Sequence, residues 1–345
     1  MTTPGTSLPA GPRNPKRDTT AWKAIVLQYQ EPSLWRATWQ LVNTLGPYAL
    51  LWYLMYLSLA WSPWLTFALA LLAGLLLVRI FIIFHDCGHG SFFKSRRAND
   101  LTGFLTGVLT LTPFHHWRWE HSIHHATAGS LDRRGIGDVW TVTVEEYLRS
   151  TRWRRFAYRL ARNPFVLFVL GPIYYIIFQQ RIAASNASPR ERRSVHWMNL
   201  AVLGVAAALS SVFGITTYAL IQLTIVIVGG GVGVWLFYVQ HQFEDAYWAH
   251  DEDWDYTAAA LDGSSYYKLP RVLQWFSGNI GFHHIHHLSS RIPNYNLERC
   301  HHADPLFQEV HPLTLLSSLK SLTLHLWDEQ HGKLVGFGHL RTLQK

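Results

Sequence analysis

The sequence predicts an all-α integral membrane protein: four transmembrane helices in two hairpins, with a helical cytoplasmic cap that holds a dimetal site. Three observations predict it. Hydrophobic residues make up 49% of the chain and charged ones only 15%, well below the roughly one quarter usual in soluble domains. Two long stretches, Ala37–Val78 and Ser194–Phe243, carry no Asp, Glu, Lys or Arg. Histidines recur in near-identical clusters at the edges of apolar segments.

At 345 residues the chain could form two domains, but the composition favours one, over 21–345, after a polar tail at 1–20 with too few apolar residues to order itself. No secretory signal is visible in that tail. The net charge of +8 would suit a nucleic acid, yet 16 tryptophans and long apolar runs point to an anionic membrane surface and exclude nucleic-acid binding. Cys87 and Cys300 are the only cysteines, which excludes a disulfide framework or a thiolate metal site.

From Trp22 to Trp39, apolar and basic residues alternate as in short amphipathic helices on a membrane surface. The first charge-free run is about twice the roughly 20 residues of one span. It predicts a hairpin over about 40–84, turning at Trp61-Ser62-Pro63 and returning His85 to the starting side. Leu101–Phe114 is too short to cross a core about 30 Å thick and is expected to dip or lie buried.

The stretch Glu120–Arg162 contains eight arginines from Arg133 onward, which mark the cytoplasmic face. Trp153, Phe156 and Tyr158 suit a helix at the headgroups, and a solvated helix face accounts for Glu145, Glu146 and Arg149. Asn163–Gln180 is interrupted by Pro164 and Gly171-Pro172, so it is expected to lie partly embedded rather than to cross. A second hairpin is expected over about 195–240, turning near Gly214. Gly229, Gly230, Gly231 and Gly233 let its second arm approach a neighbour. The cap comprises 85–194 and 241–345. At its end Leu315, Leu316, Leu319, Leu322 and Leu326 are spaced for one apolar helix face after Pro312.

The histidines carry the chemistry. His283, His286 and His287 stand at i, i+3 and i+4, as do His121, His124 and His125, and His85 and His89 are one turn apart. Imidazole is a common ligand of iron, copper and zinc. Eight nitrogens exceed the four that one tetrahedral zinc takes but suit two metals with four or five each. Nitrogen ligands with open positions are typical of iron that activates O₂. His85-Asp86-Cys87-Gly88-His89 lacks the glutamate of a zinc protease. Haem would take two axial ligands and would not call for adjacent pairs. A structural or transport role stays open at this point. His115 and His116 could orient a ligand. His284 points off the ligand face, and His301, His302, His311, His325, His331 and His339 follow no pattern and are read as surface residues.

The three clusters, with His85-Asp86-Cys87-Gly88-His89-Gly90-Ser91-Phe92, Trp117-Arg118 and Ile292-Pro293-x-Tyr295-x-Leu297 around them, resemble the histidine boxes of membrane-bound fatty acid desaturases. Over about residues 40–310 the text is similar to the bacterial and plastid acyl-lipid branch. The resemblance implies two non-haem iron ions and an enzyme that uses O₂ and two electrons to leave a cis double bond in a lipid-linked or carrier-linked acyl chain. A related hydroxylase or ketolase acting on an alkane, a sterol-like lipid or a carotenoid is the alternative. The resemblance also implies a bacterial inner-membrane setting, with the site on the cytoplasmic side. The chain has no iron–sulfur cysteine cluster and no dinucleotide fingerprint, so electrons must come from a separate donor such as a ferredoxin. The more distant stearoyl-type desaturases add a histidine at the end of the equivalent helix, which implies His241 as a ninth ligand. Phe237 replaces their nearby asparagine, and Asn279 is a candidate substitute.

Overall fold

The computed structural model describes residues 21–310 and 312–341. The sequence reading of the 1–20 tail, and that of His311, lie outside them. The described residues are 67% helical. In order come α1 (Ala21–Leu27), α2 (Leu34–Ser58), α3 (Pro63–His89), α4 (Arg96–Leu109), α5 (Phe114–Thr127), α6 (Val144–Arg149) and α7 (Arg152–Ala161). They are followed by α8 (Val166–Arg181), α9 (Pro189–Phe213), α10 (Ile215–His241), α11 (Tyr256–Leu261), α12 (Arg271–Phe276), α13 (His283–Leu288) and α14 (Asn294–His301).

Five short strands accompany the helices among the described residues. Strands β1 (Val142–Thr143), β2 (Tyr266–Tyr267), β3 (Pro312–Leu313), β4 (Leu326–Asp328) and β5 (Lys333–Val335) build two small sheets. β4 pairs with β1 in parallel and with β5 antiparallel, and β2 pairs with β3 in parallel. Each is two or three residues long, too short for alternation to reveal. The predicted leucine-faced helix is replaced by a 3-10 turn at Ser317–Thr323, which leaves Leu315, Leu316 and Leu319 exposed while Leu326 is buried in β4. Thr314 and Ser317 exchange side-chain and backbone hydrogen bonds here, an arrangement that competes with a helix.

Among the described residues, α3, α9 and α10 are long and apolar enough to cross a membrane. α2 is long enough at 25 residues but is not one of them. Its charge-free text includes Trp39, Gln40, Asn43, Thr44, Tyr48, Trp52, Tyr53 and Tyr56, whose polar atoms lower its mean hydropathy. Ser58 bonds Thr66 at 2.7 Å near the connecting loop, and Arg79 donates to Thr44 at 3.0 Å at the other end, so α2 and α3 lie side by side. Start signals are local: Ser62 caps α3 with Pro63 in its first turn, and Ser188 and Glu191 form a capping box on α9.

α3 is central, with 61% of its apolar window buried, whereas α9 has only 11% buried and leaves its apolar surface to the surroundings. Close packing of α3 on α10 depends on Gly74 and Gly229. A Cβ on Gly74 would lie 2.6 Å from that of Val228, and one on Gly229 3.0 Å from the Gly74 carbonyl. Gly74→Ala is therefore expected to force the helices apart and to destabilise the protein by about 1–3 kcal/mol. Thermal unfolding in detergent measures this, and an unchanged midpoint would show that the interface tolerates the methyl group.

α8 is bent by 65° from α7 and alternates π, α and 3-10 geometry. Pro172 has no N–H to give the Phe168 carbonyl four residues back. Gly231 of α10 packs against that freed carbonyl, which a Cβ would approach to 2.7 Å. At the far end of α8, Gln180 and nearby Tyr175 both bond the Glu120 carboxylate of α5.

Candidate metal centre

Four helix ends meet beneath α3 and α10. The last turn of α3 supplies His85 and His89, and Gly90, with φ of 71°, ends the helix there. α5 supplies His121, His124 and His125, α13 supplies His283, His286 and His287, and the last residue of α10 is His241. The entry to α13 is held by β2: Tyr267 N–H donates to the Gly281 carbonyl at 2.7 Å, and a Cβ on Gly281 would lie 2.4 Å from the Tyr267 carbonyl. Trp117 stacks on His121 with ring centroids 4.4 Å apart, and its own ring leaves no space for a side chain on Gly88.

The nine imidazoles sort into two groups. His85, His89, His121, His125 and His286 form one, and His124, His241, His283 and His287 the other; within each, one ring nitrogen per residue lies within 4.8 Å of all the rest. This explains the adjacent pairs. Consecutive residues on a helix point about 100° apart, so His124 and His125 face different groups, as do His286 and His287. The groups touch where His125 stacks on His287, centroids 4.3 Å apart.

The donors fit cations. His124 Nδ1 lies 2.6 Å from Asp138 Oδ1, and His241 Nδ1 lies 3.2 Å from the Gly263 carbonyl. An oxygen that only accepts requires the proton on Nδ1, which leaves a lone pair on each Nε2. Those two Nε2 atoms are 3.2 Å apart, and His283 Nε2 is 3.0 Å from that of His241. Lone pairs facing each other at this distance repel unless a cation lies among them, and about 3 Å is the separation of nitrogens that share an ion at about 2.1 Å. In the first group, Nε2 pairs His121–His125 and His125–His286 are 3.1 and 3.0 Å apart. His89 Nε2 and His287 Nε2 are buried without any hydrogen-bond partner. Burial, reinforced by neighbouring imidazoles, holds His121, His125, His283, His286 and His287 well below the ordinary histidine range. They are therefore neutral, the form that ligates.

The groups behind the histidines were not found from sequence. Asp86 Oδ1 lies 3.0 Å from His85 Nδ1 while its Oδ2 accepts from Asn294 N at 2.6 Å and Nδ2 at 2.8 Å. Asp138 Oδ2 accepts from Gly135 N at 3.1 Å. Asp86 was marked only by lying next to His85. Asp138 sits in an irregular loop with no periodic signal. Phe237 packs on His124 and His241 at centroid distances of 5.1 and 5.2 Å. Asn279 bonds Gln274 and the Asn294 carbonyl instead of a histidine. His115 bonds Arg190, and His116 faces Glu120 at 3.8 Å.

His284 is outside both groups, as its helix position implied. Its Nε2 lies 3.1 Å from His301 Nδ1, which corrects the reading of His301 as a surface residue. α14 packs on α13, burying His301 against Tyr266 and Phe282. His325 is also partly buried, stacked on Phe337, and His339 lies 2.9 Å from the buried Asp328.

The family model for fatty acid desaturases matches residues 62–315. The chain belongs to the fatty acid desaturase family. It is 50% identical over 313 residues to a fatty acid desaturase of Bacillus subtilis, covering 90% of this chain and 89% of that one. It is 28% identical to an sn-1 oleoyl-lipid 12-desaturase of Synechocystis sp., covering 83% of each. A second Synechocystis relative, an sn-1 acyl-lipid omega-3 desaturase (ferredoxin), is 27% identical over 66% of this chain and 64% of its own length. Family and apolar helices together make this desaturase-family chain a membrane oxidoreductase whose histidine groups are compatible with metal.

Proposed function

We propose that the protein is an O₂-dependent acyl-lipid desaturase with a diiron centre. The carrying observation is the sorting of nine imidazoles, six buried and three half-buried, into groups of five and four, with the Nε2 lone pairs of His124 and His241 facing each other in the second. His85, His89, His121, His125 and His286 hold one iron, and His124, His241, His283 and His287 the other. Iron supplies the activation of O₂ that no side chain can. The overall change is –CH₂–CH₂– + O₂ + 2e⁻ + 2H⁺ → –CH=CH– + 2H₂O.

The residues of the chain give the centre its form. Asp86 and Asp138 fix the proton of His85 and His124 on Nδ1 and so turn Nε2 to the metal. Phe237 and Trp117 wall the imidazoles with apolar rings and limit the access of water. The substrate is an acyl chain on a membrane lipid, as the names of the cyanobacterial relatives suggest, and a separate ferredoxin-like donor brings electrons to the basic face. Residues 21–345 act as one domain in the bacterial inner membrane. α2 joins α3, α9 and α10 as a fourth span, despite its lower hydropathy, because it is long enough and lies along α3. Both ends of the domain and the metal centre are then cytoplasmic.

Lipid profiling of a host that lacks desaturases tests the reaction. New cis double bonds on expression are expected; oxygenated lipids or altered pigments without them would point to a hydroxylase or ketolase instead. Purified protein with NADPH and O₂ but no carrier is expected to be inactive, and turnover under those conditions would refute the separate donor. Reporters fused at both ends should be cytoplasmic; a periplasmic signal at either end would refute the four-span arrangement.

A further inference from the structure

α7 carries two adjacent stripes. Arg152, Arg155 and Arg159 stand at i, i+3 and i+7, and Trp153, Phe156 and Leu160 follow each of them by one residue, so the stripes run side by side about 100° apart. Among the described residues the apolar stripe is left largely uncovered: Trp153, Phe156 and Leu160 are 71%, 58% and 49% exposed. The arginine stripe borders an open groove of about 510 Å³ that is lined also by Tyr147, Phe337 and Arg341. Phe156 lines the groove as well and joins the two surfaces.

The charge in this groove is not neutralised from within. Arg159 donates to the Tyr147 hydroxyl at 2.7 Å and lies over the Phe337 ring at 4.6 Å, and Arg155 donates to the Ser150 carbonyl at 3.0 Å. These contacts orient guanidinium groups without cancelling their charge. Among the described residues none of the four arginines has a carboxylate partner, and the nearby acids are engaged elsewhere, Glu145 with Arg149 and Glu146 with Arg134. The chain then leaves α7 at the 65° bend and enters the apolar α8. A helix with one cationic and one exposed apolar stripe, joined to an apolar segment, lies in the headgroup layer of a membrane.

We infer that this groove is a binding site for the phosphate of an anionic phospholipid. The phosphate sits among Arg152, Arg155, Arg159 and Arg341, and the acyl chains of the lipid cover Trp153, Phe156 and Leu160. Arginine suits this ligand because its planar fork matches phosphate oxygens. A docked acidic protein would leave the apolar stripe without a chemical reason.

The test uses the full chain in detergent micelles, with dioctanoyl phosphatidylglycerol, dioctanoyl phosphatidylcholine and inorganic phosphate as probes in calorimetric titrations. Phosphatidylglycerol is expected to bind at least about tenfold more tightly than the other two. Arg152→Gln with Arg341→Gln removes two charges whose side chains make no hydrogen bond among the described residues and should weaken phosphatidylglycerol about thirtyfold. Arg149→Gln, outside the groove, should leave it unchanged. Equal binding of both lipids, or an unaffected double variant, would overturn the site. Phosphate binding as tightly as the lipid would make it a plain anion site. A double variant that lost affinity for an acidic iron–sulfur protein but not for the lipid would reassign the groove to protein docking.

Discussion

His241→Ala is expected to fold and insert, to retain about half of the wild-type iron, and to lose desaturation by at least about a hundredfold, since even residues behind metal ligands cost ten- to a hundredfold. Its Nε2 faces those of both His124 and His283, so its removal leaves three imidazoles in the group of four. His89→Ala makes the contrast. His89 belongs to the group of five, and its loss leaves four nitrogens, so more iron should remain even though activity falls. Iron per protein, measured on membranes purified in parallel, separates the two variants. Near-normal iron and desaturation in His241→Ala would remove this residue from the site, and equal iron loss in both would refute the division into five and four.

That division was within reach of the sequence, yet spacing alone did not state it. Spacing identified the eight box histidines, and the resemblance to the stearoyl-type desaturases implied His241. An even split of eight was the simplest count. The three-dimensional arrangement instead gives His121 and His125 to one group and His124 to the other, a consequence of helix geometry that depends on where the opposing helices stand.

Other features were invisible for identifiable reasons. Absence of charge marked α2 as a span, and did not reveal that dense tryptophan, tyrosine and amide side chains keep it outside the three helices most apolar by hydropathy. Leucine periodicity after Pro312 suggested a helix, whereas local Ser and Thr hydrogen bonds and the pairing of β4 prevailed. His301 showed no motif because its burial comes from the contact of α14 with α13, a tertiary fact.

The aspartates behind the histidines show most directly how the fold completes the site, and Asp138→Asn tests that role. Asp138 accepts from two donors at once, His124 Nδ1–H through Oδ1 and Gly135 N–H through Oδ2. An asparagine has one oxygen for two donors. If the oxygen serves His124, the amide NH₂ faces the Gly135 N–H and both donors lose a partner. If it serves Gly135, the NH₂ faces His124 Nδ1, which must then give up its proton to Nε2 and can no longer turn a lone pair to the metal. Loss of the carboxylate charge behind His124 in the first case, and of its tautomer in the second, should weaken metal binding at the group of four about ten- to a hundredfold. A titration of apoprotein with Fe(II) against a competing chelator should show one weakened site and one unchanged. Desaturation should recover as Fe(II) is raised, which a folding defect would not allow. Wild-type affinity at both sites would show that Asp138 does not position His124, and loss of both together would mean that the substitution disrupts the fold.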